Sequence, residues 1–122
     1  NLMNKQAAQS PIGANKLLYA PYLMGERTPH LDADCRGMFF GLSAMHTRRD
    51  LLRAVMEGVT YSLKDCLNVL YASVPEACRA MIHVNPAQNP IAENVPQYEK
   101  VYALYTKLYQ ANKGLFKELA KL

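Results

Sequence analysis

Pro21-Tyr22-Leu23-Met24-Gly25-Glu26-Arg27-Thr28-Pro29-His30-Leu31-Asp32-Ala33-Asp34-Cys35-Arg36-Gly37-Met38-Phe39-Phe40-Gly41-Leu42 reads as a strand, a polar loop and a second strand. Leu17, Leu18, Tyr19, Tyr22 and Leu23 form an apolar, aromatic-rich run that stops at Gly25, and Met38, Phe39 and Phe40 form another between Gly37 and Gly41. The loop between them gathers Glu26, Arg27, Asp32, Asp34 and Arg36 beside Gly25, Pro29 and Gly37. A hairpin needs far less chain, and long ordered loops in compact domains are often functional. The plain alternative is a solvated turn in which Glu26, Arg27, Asp34 and Arg36 pair with one another and only hold its shape. The first strand is predicted over residues 16–24, with Pro21 suiting a sheet edge or bulge, and the second over 37–43, with Gly41 marking a bend or a close backbone approach.

Downstream, Thr47 opens the strongest helix of the chain, predicted over 47–70. Its hydroxyl suits the free amides of the first turn, and Asp50 three residues on completes a loose capping box. Leu51, Leu52, Val55, Val59, Leu63, Cys66, Leu67 and Leu70 recur at helical spacing and predict one buried face. Arg53, Glu57, Lys64 and Asn68 predict a wetter stripe opposite. Gly58 in mid-helix costs about 1 kcal/mol against Ala, so close packing against the sheet is expected there. Glu57 and Tyr61, one turn apart, are placed to share a hydrogen bond.

Upstream, residues 1–15 are small and polar, with a short helical turn around Met3, Ala7 and Ala8. The stretch beyond the long helix carries Ser73-Val74-Pro75-Glu76, a second capping box that predicts a short helix to Ile82. Pro86 and Pro90 make 83–93 an extended connector. Asn94-Val95-Pro96-Gln97 repeats the capping pattern before a final helix whose Tyr98, Val101, Tyr102, Tyr105, Leu108, Tyr109, Phe116 and Leu119 lie along one side. That tyrosine stripe fits amphipathic packing with hydroxyls reaching solvent. His46 reads as a polar end-of-strand residue, and His30 and His83 as exposed connectors.

The 122 residues suffice for one domain with a modest core. Half are apolar and a fifth charged, which argues against disorder. No apolar run approaches the ~20 residues that span a bilayer, and the start lacks a signal-peptide plan. The first residue is not Met, so the chain is expected to begin inside a longer protein. Cys35, Cys66 and Cys78 show no C-x-x-C pairing and no His at zinc spacing, which predicts reduced thiols, a cytoplasmic location and no metal site. The net charge of +4 is dispersed and lacks the clustered basic face of a nucleic-acid surface.

Four motifs in one order resemble a known family. Pro21-Tyr22-Leu23-Met24-Gly25-Glu26-Arg27-Thr28-Pro29, Arg36-Gly37-Met38-Phe39-Phe40-Gly41-Leu42, His46-Thr47-Arg48-Arg49-Asp50-Leu51 and Arg53-Ala54-Val55-Met56-Glu57-Gly58-Val59 are similar to the second lobe of FGGY carbohydrate kinases. The Gly-Glu-Arg-Thr-Pro loop and the His-Thr-Arg-Arg-Asp-Leu helix start look most like those of the family's xylulokinases. The resemblance implies an α/β fold: the C-terminal lobe of an actin-like, ribonuclease-H-like kinase, a sheet covered by helices, with residues 1–122 as one domain. It also implies a gap. The family carries a strand, a glycine-rich adenine-nucleotide loop and further elements between the counterparts of Leu70 and Tyr71, so part of the lobe is expected to be missing there.

By the same resemblance, the parent enzyme takes ATP and Mg2+, phosphorylates a pentulose (D-xylulose, giving D-xylulose 5-phosphate) and closes this nucleotide-side lobe on an N-terminal lobe. The catalytic base is an aspartate of that other lobe, so none is assigned here, and this lobe alone is expected to be inactive. No nucleotide-binding residue is assigned either. Gly25, Glu26, Arg27, Thr28, Pro29 and Arg36 are the candidates for the cleft mouth, with Arg27 suited to phosphate or to a closure contact. Other sugars of the family (ribulose, gluconate, glycerol) and a non-catalytic interaction domain on the same scaffold are the alternatives. Neither nucleic acid nor membrane is expected as a partner.

Overall fold

The computed structural model describes residues 2–73 and 89–122, the side chains of 71–73 apart. The short helix predicted to end at Ile82, and most of the 83–93 connector with His83, lie outside the described residues. The order is α1 (Leu2–Ala7), β1 (Leu18–Ala20), β2 (Met38–Phe40), α2 (Arg48–Ser73), a 3-10 turn (Ala92–Asn94) and α3 (Val95–Leu119). Among the described residues, no helix is long and apolar enough to cross a membrane.

β1 and β2 pair antiparallel with Leu18 opposite Phe40, Tyr19 opposite Phe39 and Ala20 opposite Met38. Both strands are shorter than predicted, for backbone reasons. Ala14, Asn15 and Lys16 all hold positive φ, a left-handed turn that delays β1. Pro21 brings no N–H to extend the ladder. At the other end Gly41 turns β2 away at φ +87°, where an added Cβ would lie 2.5 Å from the Lys16 carbonyl oxygen.

α2 begins where predicted, though the cap is half a box. Asp50 accepts from the Thr47 N–H at 2.7 Å, and the Thr47 hydroxyl donates to the same carboxylate at 2.8 Å instead of accepting a first-turn amide. Its backbone runs on past residue 70 without interruption to Ser73. α2 packs on β1 through Gly58: a Cβ there would stand 2.1 Å from the Tyr19 carbonyl oxygen, so the predicted close approach holds.

The amphipathic reading of α2 is overturned in its second half. Val59, Leu63 and Leu67 are exposed, Leu63 by 60%, while Glu57 is only 7% exposed and Ala54 and Tyr61 are buried. The reason is that α1 and α3 bind the stripe expected to be wet. Arg53 pairs with Glu57 at 2.6 Å and donates to Tyr98, Lys64 pairs with Glu99 at 2.7 Å, and Asn68 donates to Tyr102. The apolar stripe of Val59, Leu63 and Leu67 stays 43–60% exposed, with Thr28 of the polar loop at its edge.

α3 brings Tyr105, Leu108, Tyr109 and Phe116 inward as its spacing predicts, while Leu119 is exposed. It starts without the predicted side-chain cap, because Asn94 is already helical at the end of the 3-10 turn. The tyrosine hydroxyls turn inward too. Tyr98 meets Arg53, Tyr102 meets Asp65 and Asn68, Tyr105 meets Tyr22, and Tyr109 meets Asp32. One core layer joins Leu18, Tyr61, Tyr105 and Leu108 across β1, α2 and α3. Another joins Ala20, Tyr22, Cys35, Tyr109 and Phe116, and therefore ties the polar loop to α3.

Candidate functional site: the loop between the strands

The loop closes on itself with two backbone hydrogen bonds, Glu26 N–H to Asp32 O at 2.8 Å and Asp32 N–H to Glu26 O at 2.7 Å. Gly25 makes the approach possible. It sits at φ +88°, and a Cβ would fall 2.9 Å from the Ala33 backbone. Inside the clasp, Glu26 accepts the Thr28 N–H at 3.0 Å, and the Thr28–Pro29 peptide bond is cis. The clasp borders a hollow of about 490 Å³ lined by Met24, Gly25, Glu26, Arg27, Leu31 and Asp32.

The predicted candidates divide by what their side chains do. Arg36 donates to the Ala33 and Cys35 carbonyls at 2.8 Å each, so its guanidinium is a brace for the loop's far limb. Glu26 is committed to the Thr28 amide. The ion pairs of the described residues, Arg53–Glu57 and Lys64–Glu99, lie on α2 and α3, so the alternative in which Glu26, Arg27, Asp34 and Arg36 pair with one another does not hold. Arg27 and Thr28 are exposed at the tip. The structure thus brings Gly25, Glu26, Arg27, Thr28 and Pro29 together in one clasp and leaves the Arg27 side chain exposed.

Sequence reasoning missed what anchors this loop. Asp32 accepts the Tyr109 hydroxyl at 2.7 Å on one carboxylate oxygen and the Asp34 N–H at 3.0 Å on the other. The Tyr109 bond, with the Asp34 amide, holds the Asp32 carboxyl below its usual range, while burial and that same carboxylate push the Tyr109 phenol up to about 12. His30 is no exposed connector. It stacks flat on Tyr109 with ring centroids 3.6 Å apart, its Nε2 lies 3.1 Å from the Tyr22 hydroxyl, and burial lowers its pKa. Cys35 donates its S–H to the Asp32 carbonyl, and burial pushes that thiol up, away from reactivity. The available signal was the tyrosine stripe, which turned out to serve partners.

A second hollow, of about 460 Å³, lies between α1, α2 and α3. The Arg53 and Lys64 charges on its wall are already paired, and the Tyr61 hydroxyl, expected on Glu57, has no hydrogen-bond partner among the described residues. Glu57 instead takes Arg53 and the Gly13 N–H. His46 locks the turn before α2: its Nδ1 accepts the Ser43 N–H at 2.9 Å, which leaves Nε2–H to donate to the Asn15 carbonyl at 3.0 Å.

Neither a nucleotide nor its metal fits the described residues. Gly25, Gly41 and Gly58 are pressed against backbone, the Gly13 amide already faces the Glu57 carboxylate, and Gly114, with open space around it, stands alone within α3, so the described residues form no glycine-rich loop open to phosphate. Among the described residues, no group of three His, Cys, Asp or Glu side chains is placed to hold a metal ion.

Comparison with known proteins places this arrangement. The profile described as "FGGY family of carbohydrate kinases, C-terminal domain" matches residues 1–102. A xylulose kinase of Staphylococcus epidermidis is 59% identical over 64 residues, which are 52% of this chain and 13% of that protein. A gluconokinase of Bacillus subtilis is 43% identical over 63 residues, 52% of this chain and 12% of that protein. The crystal structure of ligand-bound xylulose kinase from Lactobacillus acidophilus superposes with a TM-score of 0.80 at 21% identity, covering 96% of this chain and 35% of that one, a likeness of fold. The chain therefore spans from about an eighth to about a third of these proteins. It belongs to the FGGY family of carbohydrate kinases, of which it is a C-terminal domain.

Proposed function

We propose that the chain is the nucleotide-side lobe of a kinase that transfers phosphate from ATP, with Mg2+, to D-xylulose. The observation that carries this reading is the 25–29 clasp: a rigid, polar loop that presents Arg27 and Thr28 at its tip. The 59% identity to a xylulose kinase supports the choice of sugar. Phosphoryl transfer is mostly positioning and charge neutralisation, with a carboxylate taking the acceptor proton. The lobe supplies positioning only. The family resemblance implies a base in the N-terminal lobe; in this chain Asp32 and Asp50 are spent on structural hydrogen bonds, and Asp65 accepts from Tyr102. ATP and Mg2+ are requirements of the parent enzyme, and no step is routed through residues described here. Free Cys35 and Cys66 suit a reducing, cytoplasmic setting.

A segment between the counterparts of Leu70 and Tyr71 in the relatives accounts for the absent cradle. Its support is twofold. The sheet has two strands among the described residues, and the Val59–Leu63–Leu67 stripe is exposed.

The test is reconstitution. The N-terminal lobe of the Staphylococcus enzyme is added, with ATP and Mg2+, to this chain carrying the relative's intervening segment, and xylulose 5-phosphate is measured. Formation of product is expected, and this chain by itself is expected to give none. No product sinks the reading and favours a non-catalytic interaction domain. Gluconate, ribulose and glycerol run in parallel, because the likeness to a gluconokinase favours gluconate as the second sugar.

A further inference from the structure

We propose that α3 positions the cleft loop: Tyr109 and Tyr105, acting through Asp32, His30 and Tyr22, fix the backbone that carries Arg27 and Thr28. The inference rests on the reading that the 25–29 loop faces the cleft. It concerns residues far from that loop in sequence and makes Tyr109 and His30 positioning residues.

The geometry runs through one residue. Asp32 makes both backbone bonds of the clasp with Glu26, so whatever holds Asp32 holds the two ends of the loop together. Tyr109, 3% exposed, holds it by a phenol-to-carboxylate bond of 2.7 Å shut away from water. A charge-assisted bond in that setting is about twice as strong as a neutral one. The second hold is on the loop's crown. His30 lies on the Tyr109 ring with planes 8° apart, and the Tyr22 ring meets His30 edge-on at 5.4 Å. Tyr22 in turn shares its hydroxyl between His30 and the Tyr105 hydroxyl, 3.1 and 3.3 Å away. Tyr22, Tyr105 and Tyr109 are all buried. A loop needing shape alone already has its Glu26–Asp32 clasp and the Glu26–Thr28 bond. Cys66 of α2 adds a thiol bond to the Thr28 carbonyl at 3.1 Å, but the buried contacts to Asp32 and His30 lead to α3, directly at Tyr109 and through Tyr22 at Tyr105.

The loop and α3 are therefore coupled. Local opening of residues 26–32 has to break the Asp32–Tyr109 bond or unstack His30, and a displacement of α3 near Tyr105 and Tyr109 moves the tip. In a lobe that closes on a partner, such a connection sets where Arg27 stands before the ligand arrives.

The experiment is amide hydrogen exchange of the 122-residue chain, read by mass spectrometry on fragments covering residues 24–36, with fragments of α2 as the reference. Tyr109→Phe keeps the ring and removes the hydroxyl. Loop exchange is expected to rise roughly tenfold or more, the loss expected of one buried bond to a charged acceptor, with α2 unchanged. Tyr22→Phe is the second variant, removing only the contacts of the crown, and is expected to give a smaller rise centred on His30. Asp32→Asn combined with Tyr109→Phe is expected to be non-additive, because both remove the same bond. Unchanged loop exchange in Tyr109→Phe and Tyr22→Phe overturns the coupling, as does an equal acceleration of loop and α2. Turnover in the reconstituted kinase is the separate arm. A fall in kcat/KM that tracks loop opening supports the positioning role, and an opened loop with unchanged kcat/KM overturns it. Absence of turnover with the unaltered chain overturns the kinase reading, and the exchange result then still decides the coupling.

Discussion

Two polar loops lead into this domain's small sheet, and they are held in opposite ways. The strap 10–16 is pinned from outside by the first turns of α2. Asp50 takes the Ser10 hydroxyl at 2.7 Å and the Asn15 amide at 2.8 Å, Glu57 takes the Gly13 N–H, and Arg53 donates to the Ser10 carbonyl. Its left-handed run at Ala14, Asn15 and Lys16 is costly for non-glycine residues and persists because so many contacts fix it. The loop 25–32 is closed by its own backbone and touched from α3 at Asp32 and His30. In the strap the three charged residues that reach it from α2, Asp50, Arg53 and Glu57, are consumed in holding the chain, and its own Lys16 is exposed where the chain enters β1. In the loop one cation is left over. A scaffold and a site can thus be built from the same residue types, and what separates them is whether the charges have work left to do.

The largest expected effect breaks the strap. Asp50→Ala removes the acceptor for Ser10, Asn15 and both Thr47 donors at once, and is expected to cost about 3 kcal/mol, read by urea unfolding. The same residue dictates an acid limb. The hydrogen bonds from Ser10 and Thr47 hold its carboxyl far below the usual carboxylate range. The native state therefore binds fewer protons than the unfolded chain, so this contribution is present above about pH 4 and is lost as pH falls below it. Asp50→Asn should flatten that limb.

Next comes the floor shared by both regions. Gly58→Ala gains about 1 kcal/mol of helix propensity, yet its methyl would stand 2.1 Å from the Tyr19 carbonyl oxygen. Net destabilisation of about 2 kcal/mol is expected, since backbone cannot yield as a side chain does. A variant as stable as the original would mean that α2 does not rest on β1 as described.

How far the sequence carried this picture differs between the same two regions. Residues 25–36 were legible: Gly25, Pro29 and Gly37 punctuate a loop whose ends are apolar runs, and both strands, Gly58 and the start of α2 follow from local rules. The strap was opaque. Nothing in Ser10, Asn15 or Asp50 announces a contact across forty residues, and Ala14, Asn15 and Lys16 carry no signature of positive φ. α2 misled for a related reason. Its apolar spacing is real, but periodicity reports which face a helix can bury and not which face its neighbours take. Spacing assigns Leu63 and Leu67 to the core, whereas Arg53, Glu57 and Lys64 are the residues that α1 and α3 cover. Tyr109 was placed correctly on the inner face of α3, and its bond to Asp32 was beyond reach because it depends on tertiary register.

A smaller effect sharpens the loop side. His30 is kept neutral by burial against Tyr109 and Tyr22, opposed by the nearby carboxylates of Asp65, Glu26 and Asp32 and assisted by Lys113. Its pKa in the folded chain lies below 6.5, so the unfolded state binds the proton more readily. The contribution of this packing is complete above pH 6.5 and declines as pH falls through that value. An NMR titration of the His30 ring is expected to give a midpoint below 6.5, and His30 in Tyr109→Phe, where the stacking ring is kept, is expected to stay below it. A midpoint at about 6.5, the value of a solvated imidazole, would place His30 in solvent and undo the contrast between the loop's buried crown and its exposed tip.

The smallest effect on stability is expected at the residue that matters most to the comparison. Arg27 is exposed and makes no ion pair among the described residues, so Arg27→Ala should leave the unfolding midpoint within about 0.5 kcal/mol of the original. In the reconstituted kinase the same change should lower kcat/KM by roughly tenfold or more, the scale of one lost charge contact to a developing anion. Arg36→Ala is the matched control, because Arg36 spends its guanidinium on the Ala33 and Cys35 carbonyls: stability should fall by about 1 kcal/mol, and turnover should follow only as far as the loop loosens. Two arginines nine positions apart would then separate cleanly, one by activity and the other by stability. Equal losses of stability would mean that Arg27 is a brace like its neighbour, and that this loop has no charge left to offer a substrate.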